Sequence, residues 1–460
     1  MRNMSSATSK VPYLRTPVPG PISRELIETD ERYVSPSYTR FYPLAVKSGR
    51  GSVLEDMDGN LYLDFTAGIA VCATGHCHPR VVKAIQDQAA KLIHICGADF
   101  YYPPLRDLAR KLAQIAPGTS EKRVLFTNSG AEAIEAAIKL ARYHTRRQHI
   151  IAFYGAFHGR TMGALSLTAS KVNQRRRFEP LLPEVTHVGY GNCYRCPYNL
   201  SYPSCALECV THLEKKLFKT TLPPEEVAAI IVEPIQGEGG YIVPPPEYHK
   251  ELKALAERHG ILYVADEVQS GIGRTGKMWA IEHWGVEPDI ICTAKGLASG
   301  LPLGAMIARA DIMDWPQGAH ASTFGGNPVA CVAALETIAL VEEGLMQNAT
   351  DVGNFLLGRL RELATRHPLI GDVRGLGLMI GVDLVKNRET RETIPVERDA
   401  VLQHCFSKGL VLLGCGESAI RLCPALVVTR EEAETAIQII DAGLTEVERT
   451  LAMANAGNGP

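Results

Sequence analysis

The chain has 460 residues, 46% of them apolar, enough to bury two or more structural lobes. Its 48 basic and 50 acidic side chains nearly cancel, which excludes the strong field of a nucleic-acid or anionic-membrane binder. Small-molecule ligands are expected instead.

From the N-terminus, Met1 to Ser23 carries basic residues, prolines and serines but no apolar run fit for a signal peptide or a membrane span. It reads as a flexible or draped arm. The cytoplasm is then the expected compartment, where the 12 cysteines are mostly reduced thiols. Further on, Arg123-Val-Leu-Phe126 passes through Thr127-Asn128-Ser129-Gly130 into a stretch whose Ile134, Ala137, Ile138 and Ala141 recur at helical spacing. Strand, small-residue turn and helix make an anion-binding geometry. The apolar run Val227 to Val232 suits a buried strand. A helix is expected from about Glu247 to His259, stopping at Gly260, and a second strand over Ile261 to Val264 completes a βαβ unit. Such alternation gives an α/β fold with a parallel sheet covered on both faces. Beyond about Cys331 the pattern is a smaller lobe, and the closing Gly-Asn-Gly-Pro is expected to be disordered.

Two glycine motifs suggest nucleotides and fail on inspection. Gly271-Ile-Gly-Arg-Thr-Gly276-Lys277 resembles a phosphate loop, but Met278 replaces the Ser or Thr that would hold Mg²⁺. Gly375-Leu-Gly377-Leu-Met-Ile-Gly381 has one residue too many for a dinucleotide fingerprint and enters a strand instead of leaving one. Tight backbone packing is the expected role of its glycines.

The chemistry concentrates elsewhere. Ile290 to Ala294 reads as a strand ending at Lys295, at the carboxyl edge where open α/β sheets build their sites. The preceding strand ends in Asp266 at the same edge, deep in apolar sequence, so that carboxylate needs a partner. A lysine able to form a Schiff base and an aspartate able to pair with a protonated pyridine nitrogen are the minimum equipment of a pyridoxal-phosphate site. Ser129, Gly130 and Ala131 at the helix start would cup the phosphate with free N–H groups.

The chain resembles the class III, or ω-amino-acid, aminotransferases of pyridoxal-phosphate fold type I. The resemblance rests on Asn128-Ser-Gly-Ala-Glu-Ala133, Ala156-Phe-His-Gly-Arg160, Glu233-Pro-Ile-Gln-Gly-Glu-Gly-Gly240, Asp266-Glu-Val-Gln-Ser-Gly271, Ala294-Lys-Gly296, Ser322-Thr-Phe-Gly-Gly-Asn-Pro328 and Ile420-Arg-Leu422. It implies a large domain with a mostly parallel seven-stranded sheet and a smaller α+β C-terminal domain. The boundaries expected are an arm and part of the small domain over 1–75, the large domain over 76–330 and the small domain over 331–460. It further implies that Lys295 carries pyridoxal 5′-phosphate, Asp266 meets its ring nitrogen, Phe157 stacks on the ring and Gln269 bonds the ring hydroxyl. Thr323 would reach the phosphate of a neighbouring subunit, so a homodimer, or a tetramer of dimers, is implied.

For substrates, the resemblance assigns Arg421 to an α-carboxylate and Glu233 to covering that arginine when no α-carboxylate is present. Ile69 and Arg142 match positions lining the site of 4-aminobutyrate aminotransferases, where the arginine meets the far carboxylate. The implied reaction is transfer of an amino group from an ω-amino acid, foremost 4-aminobutyrate, to 2-oxoglutarate. Acetylornithine or ornithine is the next donor. One stretch departs from the pattern: Cys193-x-x-Cys196, Cys205 and Cys209 lie in an insert, and their spacing leaves metal, free thiols and local disulfides open. A similar insert marks a branch of the family in which some members are amino-acid racemases, so racemisation on the same lysine, aspartate and cofactor is the alternative.

Overall fold

The computed structural model describes residues 11–457. The first ten residues of the expected arm and the last three of the expected disordered tail lie outside the described residues. What is described of the arm is draped: Tyr13 pairs with Leu61, and the Asn60 side chain accepts from the Arg15 and Thr16 amides. A helix then runs over Pro21–Tyr33.

The centre is a seven-stranded sheet in the order Lys122–Thr127, Gly304–Arg309, Ile290–Thr293, Leu262–Asp266, Val227–Val232, His149–Phe153, Val185–Val188. Gly304–Arg309 runs antiparallel to both neighbours, and every other pairing is parallel. Val227–Val232 is buried at all of its positions, as a run apolar on both faces requires. Its Ile230 and Val232 join one apolar layer with Leu252 and Leu255 of the helix Tyr248–Arg258. Its Ala229 and Ile231 join the other, with Ile134, Ala137, Ile138 and Ala141 of the helix Gly130–Thr145. Each such isoleucine contributes about 1.5–3 kcal/mol by leaving water.

The smaller lobe holds an antiparallel sheet in the order Ile370–Leu376, Met379–Leu384, Ala419–Leu422, Leu413–Cys415. The strands Val46–Arg50, Val53–Asp56 and Leu61–Asp64 form a third sheet, completed by Leu410–Val411 parallel to Leu61–Asp64. The N-terminal strands thus sit with the C-terminal lobe. A helix over Pro328–Leu340 leads from one lobe to the other, started by Asn327, whose Oδ1 accepts the Val329 amide at 2.9 Å. Among the described residues no helix is long and apolar enough to cross a membrane.

The two glycine motifs pack on each other. The Leu378 amide donates to the Arg274 carbonyl at 2.9 Å, and a Cβ on Gly377 would come 2.4 Å from the Thr275 carbonyl carbon. The buried Arg274 guanidinium is occupied by the carbonyls of Leu378 and Pro424. Close backbone approach, not phosphate, accounts for these glycines.

Candidate functional site

At the carboxyl edge of the large sheet lies a cavity of about 340 Å³, bordered by Ser129, Gly130, Ala131, Phe157, Asp266 and Lys295, with Glu233, Gln269 and His158 among its other walls. Parallel neighbours bring the chemistry together. Asp266 is the last residue of Leu262–Asp266 and pairs in register with Cys292, so the adjoining strand delivers Lys295 to the same edge. Lys295 opens a single tight turn with φ of 38°, a left-handed value that a non-glycine residue adopts only when its surroundings enforce it. Burial lowers the pKa of its amine, opposed by the carboxylates of Asp266 and Glu233. A lysine so placed is closer to a free, nucleophilic amine than a surface one.

Asp266 is 3% exposed, with one hydrogen-bond partner at each oxygen. Its Oδ2 lies 2.6 Å from His158 Nδ1, and its Oδ1 accepts the Val268 amide at 3.0 Å. Burial alone would lower the His158 pKa, but the Asp266 hydrogen bond and charge outweigh it and raise it. His158 Nε2 is buried with no partner among the described residues. Sequence reasoning missed His158 as a site residue. It stands inside the quoted block Ala156 to Arg160, and the need of a buried carboxylate for a partner was the signal that pointed to it.

The helix Gly130–Thr145 begins at this cavity. Ser129 caps it by accepting the Glu132 amide, while the Glu132 carboxylate turns back to the Asn128 amide at 2.8 Å. The remaining first-turn amides are left for an anion, reinforced by the helix dipole. Phe157 is half-buried on the cavity wall, its amide donating to Glu233 Oε2 at 3.2 Å. Gln269 is held by the Tyr241 hydroxyl at 2.8 Å.

Other expected site residues fall differently. Glu233 does not cover Arg421: its carboxylate accepts the amides of Phe157 and Gly237, tying two loops of the cavity wall together. Burial pushes its pKa up to about 7. The residue on Arg421 is Glu238, with Nη1 to Oε2 at 3.0 Å. Both glutamates belong to the block Glu233 to Gly240, and only the path of the loop decides which reaches the arginine. Arg142 is not at the site. It lies twelve residues beyond Gly130 on the helix, about 18 Å along its axis, and is spent on the carbonyls of Gln148 and Pro183 at 2.8 and 3.0 Å. Ile69 is 41% exposed in a left-handed turn, while its neighbour Val71 borders the cavity. Thr323 is exposed and does not border the cavity, although Ser322 beside it bonds Asn128 at 3.1 Å.

Among the described residues no cluster of three His, Cys, Asp or Glu side chains could hold an ion, and Cys193, Cys196, Cys205 and Cys209 are free thiols. The structural role of the cysteine insert is a bridge between lobes. Arg195 pairs with Asp383 of the small lobe at 2.8 Å, and the Tyr194 ring lies under the guanidinium of Arg391.

Residues 33–444 match the family model described as aminotransferase class-III. The chain belongs to the class-III aminotransferase family. Within it, the chain is 42% identical to the alanine/serine racemase of Pyrococcus horikoshii, over 93% of this chain and 91% of that protein. It is 41% identical to the isoleucine 2-epimerase of Lentilactobacillus buchneri, covering 93% and 95%. The 4-aminobutyrate aminotransferase of Escherichia coli follows at 38%, covering 93% and 99%. Among solved structures, a Bacillus anthracis aminotransferase superposes with a TM-score of 0.86 at 32% identity, covering 92% of this chain and 99% of that one. An amine transaminase from an uncultivated Pseudomonas species, in a pyridoxal-phosphate-bound form, gives 0.83 at 33%, covering 90% and 98%. The family is pyridoxal-phosphate dependent, and the fold is fold type I, with its seven-stranded, mostly parallel sheet and smaller C-terminal sheet.

Proposed function

We propose that this chain is a pyridoxal-phosphate enzyme that racemises or epimerises an α-amino acid. Two observations support the substrate class: Lys295 is the only lysine or arginine bordering the cavity among the described residues, and Arg421, behind the wall and paired with Glu238, is close enough for its charge to act on the Lys295 amine. A second carboxylate, such as that of 2-oxoglutarate, would not find Arg142; an arginine that stands at the cavity wall is Arg160, with its guanidinium 5.7 Å from the Phe157 ring centroid. The racemase and epimerase at 42% and 41% identity support the reaction type.

The residues present fit the cofactor. A half-buried lysine, a buried carboxylate already polarised by His158, an aromatic wall and a helix start with free amides converge on one cavity. When bound, pyridoxal phosphate supplies an aldehyde that condenses with amines and a ring that accepts the electron pair of a deprotonated substrate carbon. Ser129, Gly130 and Ala131 would hold its phosphate, with Phe157 against the ring and Gln269 at its hydroxyl. Asp266 would keep a proton on the ring nitrogen, with His158 fixing the carboxylate's orientation. Lys295 would take the proton from the substrate's α-carbon and release it to solvent, and in racemisation a solvent-derived proton would return to that same carbon from the opposite face. Arg421 holds the α-carboxylate in two parallel hydrogen bonds once Glu238 withdraws. Thr323, exposed here, is assigned to the phosphate of a second copy, which makes the working unit a homodimer.

Transamination of an ω-amine is the second reading, favoured by the Glu238 carboxylate on Arg421, which suits a substrate without an α-carboxylate. Chiral chromatography of L-alanine and L-isoleucine, incubated with the cofactor-loaded protein and no 2-oxo acid, separates the two. Accumulation of the epimerised amino acid supports racemisation. Turnover of 4-aminobutyrate that requires 2-oxoglutarate, without any change of chirality, overturns it.

A further inference from the structure

The Glu238 carboxylate is shared between two cations. Arg421 Nη1 holds Oε2 at 3.0 Å, and Lys171 Nζ holds Oε1 at 2.7 Å. Burial works against the charge on Glu238, yet both cations outweigh it and lower its pKa, so it is anionic. Arg421 is 6% exposed at its side chain and its Nε has no partner among the described residues, so the guanidinium retains donors for a carboxylate. Lys171 is different: its side chain is 42% exposed and stands on the outer side of Glu238. There it borders a second cavity of about 380 Å³, which Arg195, Arg374 and Gly239 also line.

A substrate α-carboxylate can reach Arg421 only if Glu238 leaves it, and a half-buried carboxylate without a partner is costly. We infer that Lys171 is the latch that receives Glu238 in its withdrawn position, and so sets the preference of this site for α-carboxylates. The withdrawn Glu238 keeps Lys171 and moves toward the cavity beyond Gly239, where Arg195 and Arg374 are already paired with Asp383 and leave Lys171 as its cation. In the covering position Lys171 is one of two partners; in the withdrawn position it is the first. Its loss therefore weakens the withdrawn state more, and carboxylates bind less tightly. Lys171 touches neither substrate nor cofactor and is a positioning residue.

The inference rests on Arg421 as the carboxylate site, and the test keeps the two claims apart by using propanoate, which carries the carboxylate without an amine that could react with the cofactor. Propanoate and 1-propylamine are titrated calorimetrically into the cofactor-loaded protein, as wild type, Lys171→Met, Lys171→Gln and Lys171→Arg. The expected result is a propanoate Kd raised about fivefold or more in both neutral variants. Lys171→Arg restores it to within about twofold, and the propylamine Kd changes by less than that in all of them. A neutral variant that binds propanoate as wild type does overturns the latch alone. Absence of any propanoate binding by wild type overturns the carboxylate site and the latch with it. An equal loss for propanoate and propylamine shows a merely structural role and likewise overturns it.

Discussion

Replacing Asp266 by asparagine keeps the shape of the side chain and removes its charge. In the structure that charge is 3% exposed and already pairs with His158 at 2.6 Å. A protonated ring nitrogen facing the other side of the carboxylate would gain about 4 kcal/mol at about 4 Å and an effective dielectric of about 20. At 1.36 kcal/mol per decade, losing that interaction costs about a thousandfold in kcat/KM. The Asp266→Asn change also removes the group that raises the His158 pKa, leaving burial to neutralise the imidazole, so ring and histidine both lose their charge partner. The assay is steady-state turnover of the amino acid, with cofactor occupancy checked by absorbance in the same sample. Retention of more than about a tenth of wild-type kcat/KM at full occupancy would refute the assigned role.

Three further outcomes follow from the same geometry. Glu238→Gln frees Arg421 from a charge-assisted hydrogen bond worth about 1.5–3 kcal/mol, so the KM of an α-amino acid falls about tenfold or more; an unchanged or higher KM contradicts the cover assigned to Glu238. Burial raises the Glu233 pKa from 4.5 to about 7, so the folded state holds that proton more tightly than the unfolded chain does. Its stabilising contribution is whole below about pH 4.5 and is lost as pH rises toward 7, by about 3 kcal/mol. Glu267, buried and likewise raised to about 7, contributes a slope of the same sign. Urea unfolding of cofactor-free Glu233→Gln across that window should show a pH slope that differs from wild type by up to about 1.4 kcal/mol per pH unit, the contribution of one proton, and an identical slope counts against the shift. Arg142→Ala should lower stability by about 1–2 kcal/mol through its two carbonyl contacts while leaving the KM of amino acid and 2-oxo acid within about twofold; a large rise in KM would return Arg142 to the site.

The large sheet is legible in the sequence because its strands are apolar on both faces. Val227–Val232 and Ile290–Thr293 need no partner information to be recognised, and their carboxyl ends locate Asp266 and Lys295. The site residues that local pattern mislocates depend on paths in three dimensions. Glu233 and Glu238 stand five positions apart in one glycine-rich loop, and only its fold sends one to the Phe157 amide and the other to Arg421. Arg142 lies on the helix whose first turn faces the cavity, so proximity in sequence misleads by most of a helix length. Contacts between distant segments are equally hidden: the pairing of Leu61–Asp64 with Leu410–Val411, and of Arg195 with Asp383, follow from lobe docking and carry no local signal.

The most direct test of the proposed reaction follows the α-carbon itself. L-Isoleucine is incubated with cofactor-loaded protein in D₂O without any 2-oxo acid, while proton NMR follows the α-hydrogen and chiral chromatography follows the product. The account predicts loss of the α-proton signal, with deuterium appearing in an epimer that accumulates toward equilibrium and no 2-oxo acid released beyond one equivalent per site. Exchange without epimer, or consumption of amino acid only when 2-oxoglutarate is supplied, would contradict it and leave transamination as the function of this site.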